Sequence, residues 1–236
     1  MTKQQYIGRK RRRRRVIVTF ILSFLLLLFV GRGGKIREWY EKKIANPMLA
    51  YDDEDCNLNG IKLPNGVVVR ADMIRKNPYS RSGRKLTRVN EIVIHYVANP
   101  GSSAKNNRDY FDSLADKQDR YVSSHFVVGL DGEIIQCIPL NEVAYASNNR
   151  NGDTIAIEVC HQDKTGRFNR KTYRSVVSLA AYLCDMFQID SSHIIRHYDV
   201  TGKLCPLYYV ENEDKWNKLK ENIQKELDNI ERKKLK

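Results

Sequence analysis

The segment that most restricts how this chain can fold is Val16 to Val30 (VIVTFILSFLLLLFV), fifteen uncharged and mostly apolar residues directly preceded by Arg9, Lys10 and Arg11 to Arg15. As a helix the run is about 22 Å long, against a hydrocarbon core of about 30 Å. Snorkelling arginines at one end and Gly31 at the other help to close that gap. A removed signal peptide is the competing reading. The sequence that follows, Gly-Arg-Gly-Gly-Lys, offers no A-x-A-like cleavage site, which favours an uncleaved anchor. The expectation is therefore a single-pass plasma-membrane protein. Its basic segment 1–15 is cytoplasmic, 16–31 spans the membrane, 32–60 forms a charged stem, and a domain over 61–231 lies outside.

The net charge of +13 suggests nucleic acid until it is located. Residues 1–50 hold 13 Lys and Arg against 2 Glu, leaving 28 basic and 26 acidic residues for all the rest. A nucleic-acid-binding domain needs basic residues over its contact face, so no nucleic-acid partner is expected. Five cysteines, Cys56, Cys137, Cys160, Cys184 and Cys205, are odd in number and not densely spaced, so at least one serves something other than a disulfide.

Beyond the stem, strand and helix patterns alternate. Residues 91–97 (EIVIHYV) are apolar on both faces, as in a strand covered by helices on either side. Ser102 or Ser103 can cap a helix over 104–117. Segments 124–130 and 133–138 flank Asp131-Gly132, a two-residue hairpin turn. Residues 154–159 (TIAIEV) form another strand, and 170–187 a helix with Cys184 on its apolar stripe. A short strand at 193–196 and an amphipathic helix over 212–231 complete the domain. This order predicts an α/β fold with a mixed central sheet flanked by helices.

His95 is the one strongly polar side chain inside EIVIHYV, on a face with Val93 and Val97. Downstream, RHYDVTGKLCP places His197 eight residues before Cys205, with Lys203 between them. Imidazole and thiolate are both good zinc ligands, and three protein ligands leave a fourth position open. His95, His197 and Cys205 together would make such an open site, although the spacing of the last two alone says little.

The whole constellation is more specific. IVIHYVANPG, SSHFVVGLDGEIIQCIP, DTIAIEVCH and RHYDVTGKLCP occur in the order found in, and resemble, the zinc-dependent N-acetylmuramoyl-L-alanine amidase family. That family includes bacteriophage amidase-type lysozymes and peptidoglycan recognition proteins. The resemblance covers roughly residues 80 to 228. It implies zinc (Zn2+) on His95, His197 and Cys205, catalytic roles for Glu158 and Lys203, and peptidoglycan as substrate. The bond cut would join the lactyl group of N-acetylmuramic acid to L-alanine of the stem peptide. Alternation in TIAIEV sets Glu158 beside Thr154 and Ala156, small neighbours that leave room for a ligand.

Tyr96, Asn99 and Asn149 are expected to contact the muropeptide, and His125 to line the pocket as a hydrogen-bonded residue rather than a ligand. Ser124 stands where some family members carry an assisting tyrosine, so another group must replace that hydroxyl. His161 and His193, at strand margins, are expected at the surface. Three other readings remain open: a non-catalytic peptidoglycan-binding module, a cysteine peptidase using Cys160 with His197, and a membrane protein that only positions partners.

Overall fold

The computed structural model describes residues 56–235. The basic segment, the anchor over 16–31 and nearly all of the stem lie outside the described residues, and among the described ones no helix is long and apolar enough to cross a membrane. Six strands run β1 (Val69–Ala71), β2 (Glu91–Ile94), β3 (Phe126–Val128), β4 (Ile134–Gln136), β5 (Thr154–Val159) and β6 (Ile194–Arg196). Among the described residues five α-helices accompany them: α1 (Ala104–Lys117), α2 (Arg170–Phe187), the short α3 (His197–Thr201) and α4 (Leu207–Glu211), and α5 (Glu213–Lys233).

The strands form one sheet in the order β1-β4-β3-β5-β2-β6. Every pairing is parallel except the β3–β4 hairpin, so the sheet is mixed as expected. Gly132 closes the hairpin at φ +85°, where a Cβ would meet the Lys171 carbonyl oxygen at 3.1 Å.

Alternation along the strands sorts the core into two layers. Ile92, Ile94, Phe126, Val128, Ile155 and Ile157 face one way and pack with Val176, Leu179 and Leu183 of α2 and Trp216, Leu219 and Ile223 of α5. Val127 and Ile135 face the other way, against Ala104 and Phe111 of α1. Central strands buried on both faces are what the unbroken apolar run EIVI requires.

Helices α1 and α2 occupy the expected residues. Ser103, not Ser102, caps α1: its Oγ accepts from the Asn106 backbone N–H, and Asn106 Oδ1 accepts from Ser103 N–H in return. Strand β5 spans the expected residues, whereas β2, β3, β4 and β6 are shorter than expected; after β2 the backbone turns at Ala98, φ +51°. Pairing nevertheless continues past β2 through His95 N–H to the Ile157 carbonyl and Val97 N–H to Val159. Packing also begins before the boundary set at Ile61, since Cys56 and Leu58 are buried in the core. All five cysteines are buried, and none is in a disulfide.

Candidate metal centre

Strand register builds the site. In the parallel β2–β5 pair, Ile94 stands opposite Ile157; in the parallel β2–β6 pair, it stands opposite Arg196. The next residue along each chain is Glu158, His95 and His197, so these three form one row across three neighbouring strand ends, on the face away from Ile94 and Ile157. The His95 and His197 rings lie 4.7 Å apart, centroid to centroid, and Glu158 Oε1 is 4.0 Å from His95 Nδ1.

Cys205 arrives from the loop after α3, which is tied back by Tyr198 N–H donating to the Cys205 carbonyl at 2.9 Å. Its Sγ lies 3.9 Å from His95 Nδ1. The donor atoms of His95, His197 and Cys205 all fall within 4.8 Å of one another. Tetrahedral zinc holds its ligand atoms about 3.5 Å apart, so slight contraction closes the triad on an ion. Two nitrogens and a sulfur are the mixed donor set zinc takes in open sites.

Outer contacts orient the ligands, as metal-binding imidazoles require. Asn148 Oδ1 is 3.0 Å from His197 Nε2, leaving Nδ1 for the triad, and Ser147 Oγ is 3.5 Å from His95 Nε2. Arg196, buried at the base of α3, holds its start in place. It donates to Asp199, to the Tyr209 carbonyl and to Glu213, and its guanidinium lies over the Trp216 ring.

The electrostatics match a site built for a cation and a proton carrier. Burial, then His197 and Lys203, hold the His95 imidazole well below its usual range, and burial lowers His197 as well. Both are therefore neutral and able to ligate. Burial pushes the Glu158 carboxyl up to about 8 against the opposing pull of Lys203, and Glu158 Oε2 is buried with no hydrogen-bond partner. The Cys205 thiol, pushed up to about 12 mainly by burial, would have to lose its proton to a metal. All five residues line one cavity of about 310 Å³.

Of the three residues expected to contact the muropeptide, Tyr96 lines that cavity. Asn99 does not: it is exposed, and its carbonyl accepts from Ser102 in the turn before α1. Asn149 is also exposed and outside the lining; its neighbours Asn148 and Asn151 take that place. His125 does not line the cavity either. Its Nδ1 accepts from Ala156 N–H at 3.0 Å, its Nε2–H donates to the Glu142 carbonyl at 2.9 Å, and both nitrogens are thus consumed by backbone. Ser124 is buried and its hydroxyl is engaged by the Ala156 and Phe126 carbonyls; the tyrosines lining the cavity are Tyr96, Tyr121 and Tyr145.

His193 is half-buried and His161 is fully buried, its ring 5.0 Å from that of Tyr96 and its Nδ1 hydrogen-bonded at Asp163. Cys160 is a poor nucleophile: it is buried beside Asn107 and its thiol is pushed up to about 12. Asn148, Ser147, Arg196, Tyr121 and Tyr145 were not singled out by sequence.

Against known proteins, the chain is 35% identical over 176 residues to the N-acetylmuramoyl-L-alanine amidase CwlL of Bacillus licheniformis, covering 69% of this chain and 48% of that one. It is 36% identical over 169 residues to the N-acetylmuramoyl-L-alanine amidase BlyA of Bacillus subtilis (strain 168), covering 63% and 44% respectively. The chain thus spans about half the length of the curated relatives it matches. The catalytic domain of XlyA superposes with a TM-score of 0.57 at 28% identity, over 66% of this chain and 99% of that one. The N-acetylmuramoyl-L-alanine amidase family model matches residues 85–207, just over half the sequence and the stretch that carries all five cavity residues named above. On that match, the chain belongs to the N-acetylmuramoyl-L-alanine amidase family.

Proposed function

We propose that this protein is a zinc-dependent amidase that hydrolyses the bond between the lactyl group of N-acetylmuramic acid and L-alanine of the stem peptide in peptidoglycan. The observation that carries the reading is the convergence of His95, His197 and Cys205 in one cavity with Glu158 and Lys203. A zinc ion held by those three ligands supplies Lewis-acid chemistry, polarising a carbonyl and acidifying water towards neutral pH.

The remaining work falls to side chains. Glu158, with an unpartnered oxygen and a raised affinity for protons, takes the proton from the attacking water and delivers one to the leaving amine. Lys203 brings positive charge to the oxygen that becomes negative as the carbonyl turns tetrahedral. Tyr96, beside the cavity mouth, shapes the space for the stem peptide. The Arg-rich segment and the apolar run over 16–31 would tether this activity at the outer face of the plasma membrane.

Mass spectrometry of peptidoglycan digested by the full chain tests the bond assignment. The reading requires new lactyl carboxylates on the glycan and free L-alanine amines on the released peptides. Cleavage within the stem peptide, or between sugars, would overturn it.

A further inference from the structure

A second cavity, of about 340 Å³, shares no lining residue with the first. It lies between the start of α2, the loop before it, and helices α4 and α5. Five cationic side chains surround it: Arg167, Arg170, Arg174, Lys215 and Lys218. Phe168, Tyr173, Tyr208 and Tyr209 supply its apolar walls. This concentration is hidden in the sequence by the near balance of charge over residues 51–236.

Several placements here oppose the stability of the bare protein. Arg170 and Lys171 occupy the first turn of α2, which has no acidic residue, so cations sit at the positive end of the helix dipole. Arg174 follows Arg170 by four residues, a like-charge spacing that weakens a helix. Lys215 and Lys218 have carboxylate partners in Asp214 and Glu221, at 2.8 and 2.9 Å. Arg167, Arg170 and Arg174 have no carboxylate at ion-pair distance among the described residues; Arg167 lies over the Tyr208 ring instead, 5.7 Å from its centre. Three exposed guanidiniums without a carboxylate at ion-pair distance among the described residues, and two ion-paired ammoniums, border one concave space whose field an anion would relieve.

We propose that this cavity binds a phosphate group, carried on a small polyol phosphate or on a lipid headgroup. A single carboxylate is satisfied by one guanidinium fork, whereas converging cations from two helices and a loop suit an anion that presents several oxygens in different directions. The aromatic walls give the carbon part of such a ligand an apolar surface. Binding here is separate from the hydrolytic chemistry and stands or falls without it.

The test compares the full chain with an R167Q/R170Q/R174Q variant. Inorganic phosphate and glycerol 3-phosphate are titrated by calorimetry, and co-sedimentation is measured on phosphatidylcholine vesicles with and without phosphatidylglycerol. The segment with Arg9 to Arg15 is the same in both proteins, so the difference reads the cavity. The variant should keep its thermal midpoint and its wall digestion while phosphate affinity falls by about tenfold or more. Loss of affinity for both soluble phosphates identifies a free polyol phosphate as the source; loss confined to phosphatidylglycerol vesicles identifies a lipid headgroup. A K215Q/K218Q variant reads the opposite wall and should weaken the same ligand. Unchanged affinities in both variants overturn the proposal. So does glutarate, a dicarboxylate, binding as tightly as phosphate, which would make the cavity a carboxylate site for the stem peptide.

Discussion

At the scale of single residues, the proposed mechanism gives Glu158 and Lys203 separable tasks, and their variants should separate them. Replacing Glu158 by Gln keeps the shape and removes the proton carrier, so kcat should fall by about a hundredfold to ten-thousandfold while the metal content stays unchanged. Lys203→Ala removes a charge that matters as the oxyanion develops, and should cost about a hundredfold to a thousandfold in kcat with little change in KM. Steady-state kinetics on purified muropeptides, alongside elemental analysis, check both. A Glu158→Gln enzyme of normal rate would remove this residue from the mechanism. The same row of residues shows what a sequence reveals of a site. His95, Glu158, His197, Lys203 and Cys205 were legible because zinc chemistry limits the residue types and the family motifs fix their order. Asn148, Ser147 and Tyr145 were not, because their positions depend on how the loop between β4 and β5 folds back over the sheet, which no periodicity encodes.

Between elements, His125 is the clearest misreading and the most informative one. In an apolar strand it resembles a pocket residue, yet its two nitrogens brace β3 against the Ala156 N–H of β5 and against the Glu142 carbonyl. Such a brace works only with a neutral ring, and burial accordingly pushes its pKa down to about 4. An imidazole whose folded pKa lies below its unfolded value of about 6.5 contributes stability that is full above that value and lost as pH falls towards 4. The loss from this one group is on the order of 3 kcal/mol. Chemical denaturation between pH 7 and pH 4 should therefore show a steep decline that is shallower in a His125→Asn variant. Equal slopes in the two proteins would mean that His125 is not the group responsible. The helices and the central strands were readable because apolar spacing reports burial directly. β1 was not: its three residues are held by pairing with β4, a long-range contact with no local pattern.

For the molecule as a whole, the account joins a hydrolytic domain to a tether. The charge that gives the chain its net +13 lies almost wholly before residue 51, so the remainder of the chain is close to neutral, and in the proposed reading that charge serves the tether. Intact cells expressing the full chain should lose the domain to added protease while the basic N-terminal segment remains protected and membrane-associated. Recovery of the whole chain in the soluble fraction would contradict the tether, though not the enzyme.

The claim on which the enzymatic reading depends is that two imidazoles and a thiolate, brought together by the registers of β2 and β6 and by the loop after α3, hold a zinc ion. Elemental analysis of the purified full chain tests it most directly. The account predicts one equivalent of zinc in the wild type, its retention in Glu158→Gln, and its loss in Cys205→Ser with activity lost in parallel. A Cys205→Ser protein that keeps the wild-type zinc content, or a metal-free wild type that still cleaves peptidoglycan, would contradict it.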